Sequence, residues 1–97
     1  MTTTLDRIIH EPVRLKIMMI LSGADEADFN FLRATLALTN GNLSSHVDRL
    51  EQAGYVKVHK RFEGKMPHTG YRLTAAGRRA LAQYWAAIDQ IRRINGS

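Results

Sequence analysis

The residues with the most chemical potential in this 97-residue chain lie in one short stretch, TNGNLSSHVDRLEQ. Asn40, Asn42, Ser44, Ser45, His46 and Arg49 carry short or forked hydrogen-bonding groups at helical spacing. Leu43, Val47 and Leu50, spaced four and three apart, supply the apolar stripe that turns the same segment toward a core. Side chains of this kind, projected from a helix, match the donor and acceptor patterns on base edges: Arg with guanine, Asn with adenine, Ser and His more loosely. With the stripe inward, Ser45 and Arg49 point away from the core, and Asn42 and His46 lie on the adjoining flank. Asn40 and Gly41 occupy the opening turn. Arg49, one turn beyond Ser45, can reach either a base or a phosphate.

A second set of residues is defined by charge. The chain carries a net +5, yet segment 57–79 alone holds Lys57, Lys60, Arg61, Lys65, Arg72, Arg78 and Arg79 against a single acid, Glu63. All the excess positive charge therefore sits in 23 consecutive residues. A concentrated basic segment is the electrostatic footprint expected for a polyanionic partner. Thr39, Lys57, His59, Lys60, Arg61, Lys65, His68 and Arg72 are the candidate backbone-contacting residues, with Lys65 or His68 nearest a minor groove. Asp48 and Glu51 run against this pattern. They must turn toward cations within the protein or lie off the interface, because a carboxylate facing phosphate would repel it.

Other chemistries find little support. The four histidines, His10, His46, His59 and His68, show no ligand spacing, and there is no cysteine, so no metal site or cofactor is called for. Ser44 and Ser45 beside His46 do not make a nucleophile and base, since adjacency in a helix does not aim one at the other. The glycines of EGKMPHTG are too scattered for a phosphate loop. No catalytic residue is assigned. The N-terminus lacks a continuous apolar core, and the longest apolar run, IMMIL at 17–21, is too short to cross a bilayer. A soluble, cytoplasmic protein without a membrane partner is expected.

The elements that must position these residues follow from periodicity. Leu5, Ile8 and Ile9 have helical spacing, and Pro12 can open a second helix carrying Val13, Ile17, Ile20 and Leu21. After the acidic connector 25–28, Asp28 can cap a third helix bearing Phe29, Leu32 and Leu36. Thr39 caps the fourth, and Gly54 supplies its left-handed stop. YVKVHKRF then alternates as a strand, EGKMPHTG reads as the turn, and YRLT as the returning strand. Met66 and Pro67 fall at the expected tip, where an apolar residue can contact a sugar or stand exposed. Thr74 caps a long last helix over 75–94.

The predicted fold is mainly α with a small β-hairpin, one domain over residues 1–97. This is the plan of a winged helix-turn-helix, whose third core helix enters the major groove while the hairpin wing touches the DNA backbone or minor groove. The last helix carries more apolar surface than a small core is expected to absorb. Leu81, Tyr84, Trp85, Ile88 and Ile91, with Leu5 and Ile8, are therefore the expected dimer interface. A homodimer would offer two such helices to two half-sites one helical turn apart.

The run LTNGNLSSHVDRLEQAGYVKVHKRFEGKMPHTGYRLTAAGRRAL resembles the recognition helix and wing of the MarR and ArsR type winged-helix transcription regulators, above all the short single-domain forms. LSSH at 43–46, LEQAGYV at the helix end and YRLTAAGRRAL after the wing carry the likeness, and PVRLKIMMIL upstream adds to it. The likeness extends over roughly residues 8–85. It implies a homodimer that binds a pseudo-palindromic double-stranded DNA operator. It assigns no small-molecule effector, which in so short a chain would have to bind between the last helix and the core. A winged-helix module that docks a protein is the alternative reading of the same elements.

Overall fold

A computed structural model describes residues 4–96. Seven elements follow in the order α1 (Pro12–Ser22), β1 (Ala27–Asp28), α2 (Phe29–Thr35), α3 (Asn40–Gln52), β2 (Val56–Glu63), β3 (Met66–Leu73) and α4 (Ala75–Gly96). The three strands make one antiparallel sheet in the order β1-β3-β2. Ile9, Ile17, Met18, Leu21, Leu32, Leu43, Val47, Leu50, Val56, Tyr71, Leu81 and Tyr84 fill a single core between the helices and the root of the sheet. Among the described residues no helix is long and apolar enough to cross a membrane.

Local sequence rules account for most of the element ends. Pro12 opens α1 at its first turn, and the preceding Glu11 caps it by accepting from the amides of Val13 and Arg14. Asp28 and Thr39 cap α2 and α3 through the amides of Phe31 and Asn42. The Thr74 hydroxyl does the same for α4 through Gly77. The end of α3 is a Schellman motif: Gly54 at φ +80° donates to the Glu51 carbonyl, and Tyr55 donates to that of Leu50.

The same motif ends α2, but with an alanine in the left-handed position. Ala37 sits at φ +54°, its amide donating to Ala34 while Leu38 donates to Arg33. A side chain in this region costs roughly 1–2 kcal/mol. The tight turn 37–39 that joins α2 to α3 absorbs that strain.

Four expectations are corrected. Leu5, Ile8 and Ile9 do not form a helix: residues 7–10 make one turn only. The Asp6 carboxylate captures the amides of Ile8 and Ile9, and Glu11 is held extended before Pro12, so the helical ladder cannot continue. The acidic connector 25–28 contains a short strand, β1, which pairs Ala27 with Tyr71 and Asp28 with Gly70. The returning strand begins at Met66 instead of Tyr71, so the turn tightens to Gly64 and Lys65. Pro67 is accepted in β3 because β1 reaches only Gly70 and Tyr71, leaving that part of β3 without a neighbour on its second side. Finally, Leu81 and Tyr84, expected at a surface for a second copy, are 6% and 5% exposed. They face the protomer's own core, where the Tyr84 hydroxyl lies 2.9 Å from Nδ1 of His10.

Candidate nucleic-acid interface

The stripe Leu43, Val47 and Leu50 is buried against α1, α2 and β2, which fixes the rotation of α3. Asn40, Gly41, Asn42, Ser45 and Arg49 are consequently exposed along the outer side, as their spacing predicts. Asn42, Ser45 and Arg49 form one hydrogen-bonding face on a helix about four turns long.

Two members of the sequence-derived set lie elsewhere. Ser44 is half-buried. His46 turns toward the start of α1, with Nδ1 3.2 Å from an Arg14 nitrogen and 3.3 Å from Oε2 of Glu11. The cluster ties α3 to the α1 N-terminus, so His46 holds the helix in place more than it faces outward. Burial pushes the Glu11 carboxyl up, but the amides of Val13 and Arg14, together with the nearby His46 and Arg14, outweigh it and hold the group below its ordinary value. Arg14 also donates from Nε to the Ile8 carbonyl at 2.6 Å, fastening the N-terminal segment.

Asp48 and Glu51 are both exposed. They line the groove between α3 and the wing with Val58, Lys60, Thr69 and Tyr71. Burial, and then these two carboxylates, raise the Tyr71 phenol above its ordinary value.

The wing separates its basic residues by face. Val56, Val58, Lys60 and Phe62 share one side with Leu73, Tyr71, Thr69 and Pro67; Lys57, His59, Arg61 and Glu63 share the other with Arg72, Gly70, His68 and Met66. On this second side the sequence reading missed a central residue, Glu26. Its carboxylate pairs with Arg61 and, at 3.1 Å, with Nε of Arg72. The Arg61 hydrogen bond, working against burial and helped by Arg72, holds the Glu26 carboxyl below its ordinary value. Glu63 adds contacts at 3.6 Å to Arg61 and 3.5 Å to His68. Two arginines counted toward the basic segment are thus already neutralised. Lys57, His59, Lys60 and Lys65 are exposed and carry no such pair among the described residues.

A second missed relationship lies behind the helix. The Tyr55 hydroxyl donates to the Asp6 carboxylate, and this hydrogen bond, with burial, pushes the phenol up to about 12. Asp6 and Tyr55 are 49 residues apart, and no spacing rule links them.

A helix presenting amide, hydroxyl and guanidinium groups beside a hairpin of exposed lysines has the geometry of a major-groove reader with a wing. Residues 13–92 match the family model of the winged helix DNA-binding domain. This chain belongs to that family. An uncharacterised protein of Methanocaldococcus jannaschii is 35% identical over 85 residues, covering 88% of this chain and 92% of its own. The transcriptional regulator homologue of Pyrococcus horikoshii superposes with a TM-score of 0.86 at 30% identity, over 95% of this chain and 91% of that one. Bacillus subtilis PadR, solved in complex with operator DNA, superposes at 0.68 with 14% identity over 77% of this chain and 47% of its own, a likeness of fold alone. The chain is a winged-helix DNA-binding domain of the transcriptional-regulator type, and not an enzyme.

The face of α4 left after Leu81 and Tyr84 turn inward consists of Trp85 at 42% exposure, the half-buried Ile88 and Ile91, and the exposed Ile94. Trp85 stacks edge-on against Tyr84. Leu5 and Ile8 are half-buried against the core.

Proposed function

We propose that this winged-helix domain is a sequence-specific regulator that binds a pseudo-palindromic operator as a homodimer. The observation that carries the reading is the outer face of α3, where Asn42, Ser45 and Arg49 stand exposed opposite a fully buried stripe. Asn42, Ser45 and Arg49 read base edges, and Asn40 with the opening turn approaches the backbone. Lys57, Lys60 and Lys65 hold phosphates, with His59 and His68 beside them on the wing. Such a protein works in the cytoplasm, beside the chromosome it regulates.

Dimerisation follows from economy of contact. One α3 covers one half-site, and a two-fold pair spaced about 34–36 Å apart engages two successive major grooves on one side of the duplex. Trp85, Ile88, Ile91 and Ile94 are residues of α4 with apolar area still to bury, and a second copy of the same helix offers a matching stripe.

The test is a binding selection from random duplex DNA, followed by fluorescence anisotropy of the enriched sequence and a scrambled control over a salt series. Enrichment of an inverted repeat bound far more tightly than the control is the expected result. Equal, weak and salt-sensitive binding to both duplexes would overturn the reading and favour a module that docks a protein partner.

A further inference from the structure

The wing tip carries an apolar cluster that phosphate contact does not use. Phe62 is 73% exposed and Met66 66%. Phe62 lies directly across from Pro67 on one side of the hairpin, and Met66 across from Glu63 on the other, so Phe62 and Pro67 form the apolar side of the ribbon beside the two-residue turn at Gly64 and Lys65. Phe62 continues the side of the hairpin that begins with Val56 and Val58, but at the tip it is left largely in solvent. An aromatic ring left in water is unfavourable, and exposed apolar surface beside polar residues marks a contact site.

The occupant follows from what adjoins the cluster. Lys60, two residues back on the same side as Phe62, lines the groove beside α3 together with Asp48 and Glu51, so the apolar tip continues the side of the wing that borders the proposed reading helix. Lys60 and Lys65 flank it, while Arg61 is engaged by Glu26 and Glu63. Apolar residues set among cations at the end of a protruding ribbon suit a minor groove, where side chains such as Phe and Met wedge between base steps and kink the duplex. A protein surface or a lipid face would not require continuity with α3.

We propose that the wing tip is a minor-groove wedge, with Phe62 entering between stacked base pairs at a flexible pyrimidine–purine step flanking each half-site. The inference rests on the operator-binding reading and deepens it. Part of the specificity would then be read from the deformability of a sequence that α3 never touches.

The test places 2-aminopurine at successive positions flanking the half-sites of the selected operator and follows its fluorescence on saturation with the full chain, alongside end-to-end energy transfer across the duplex. A rise at one step per half-site, with shortening of the end-to-end distance, is expected. Both should vanish in Phe62→Ala, which should bind the operator about 10- to 100-fold more weakly with an unchanged salt slope, because no charge is lost. Phe62 lies outside the core, so alanine leaves the fold intact, and Phe62→Trp should keep the signal. Specific binding without a 2-aminopurine response at any position would overturn the wedge alone. A change in oligomeric state in Phe62→Ala, with the DNA signal unaltered, would overturn it in favour of a protein contact. Failure of the wild-type chain to prefer any duplex would overturn the operator-binding reading, and the wedge with it.

Discussion

Glu26 lies across Gly70. A methyl group on Gly70 would come within 2.6 Å of the Glu26 carboxyl carbon, so the missing side chain is what lets the carboxylate settle on the sheet between Arg61 and Arg72. Gly70→Ala should therefore displace Glu26 and release both arginines. On a scrambled duplex, the plot of log affinity against log salt should steepen by about one to two units, one for each arginine that gains a phosphate. Anisotropy over a salt series checks this, and a slope equal to wild type would mean that the pair reaches DNA despite Glu26.

The lysines should behave differently from Arg61. Lys60→Ala and Lys65→Ala should each flatten the slope by about one unit and weaken all sequences alike. Arg61→Ala should change it by less, since its guanidinium is already engaged by Glu26 and Glu63. Asn42→Ala should leave the slope intact and relax the preference at one base pair by about 1–3 kcal/mol. Competition binding with single-base operator variants would reveal the difference.

Ala37→Gly should stabilise the domain. The left-handed position at φ +54° strains any residue with a Cβ, and glycine relieves roughly 1 kcal/mol or a little more. For a domain of this size the thermal midpoint should rise by about 4–8 °C. Differential scanning calorimetry measures it; a fall would mean that the greater freedom of glycine in the unfolded chain outweighs the relieved strain.

Tyr55 and Asp6 set an alkaline limit. The folded phenol is raised to about 12 from an ordinary 10.0, so the neutral form is favoured by folding. Its contribution is full below pH 10.0, where both states keep the proton, and is lost as pH rises toward about 12. Tyr55→Phe should cost about 1 kcal/mol near neutrality and remove this part of the alkaline loss. Urea titrations at a series of pH values, with phenolate absorbance, follow both.

Trp85→Asp and Ile91→Asp should convert a dimer into monomers with little loss of helix, because both side chains face outward or lie only half-buried. Light scattering coupled to size exclusion reads the mass. A monomeric wild-type chain at micromolar concentration would remove α4 from the proposed assembly.

The sequence by itself determined several features governed by near neighbours. Thr39, Asp28 and Thr74 cap the helices they precede, Gly54 stops α3, and the 4 and 3 spacing of Leu43, Val47 and Leu50 orients the outer face of Asn42, Ser45 and Arg49. These outcomes depend on hydrogen bonds and side-chain periods spanning at most a few residues, so the local order of types is sufficient. Tertiary structure alone decided the rest. Glu26 meets Arg61 and Arg72 across 35 and 46 residues, and Asp6 meets Tyr55 across 49. Helical period marks an apolar stripe on α4 but not how much of it the core can take: Leu81 and Tyr84 went inward and Trp85 did not. His46 was drawn to Glu11 and Arg14 because α1 packs beside it. Charge counting placed the positive segment correctly and overestimated its free cations, since a carboxylate's partner is chosen by proximity in space, which periodicity does not encode.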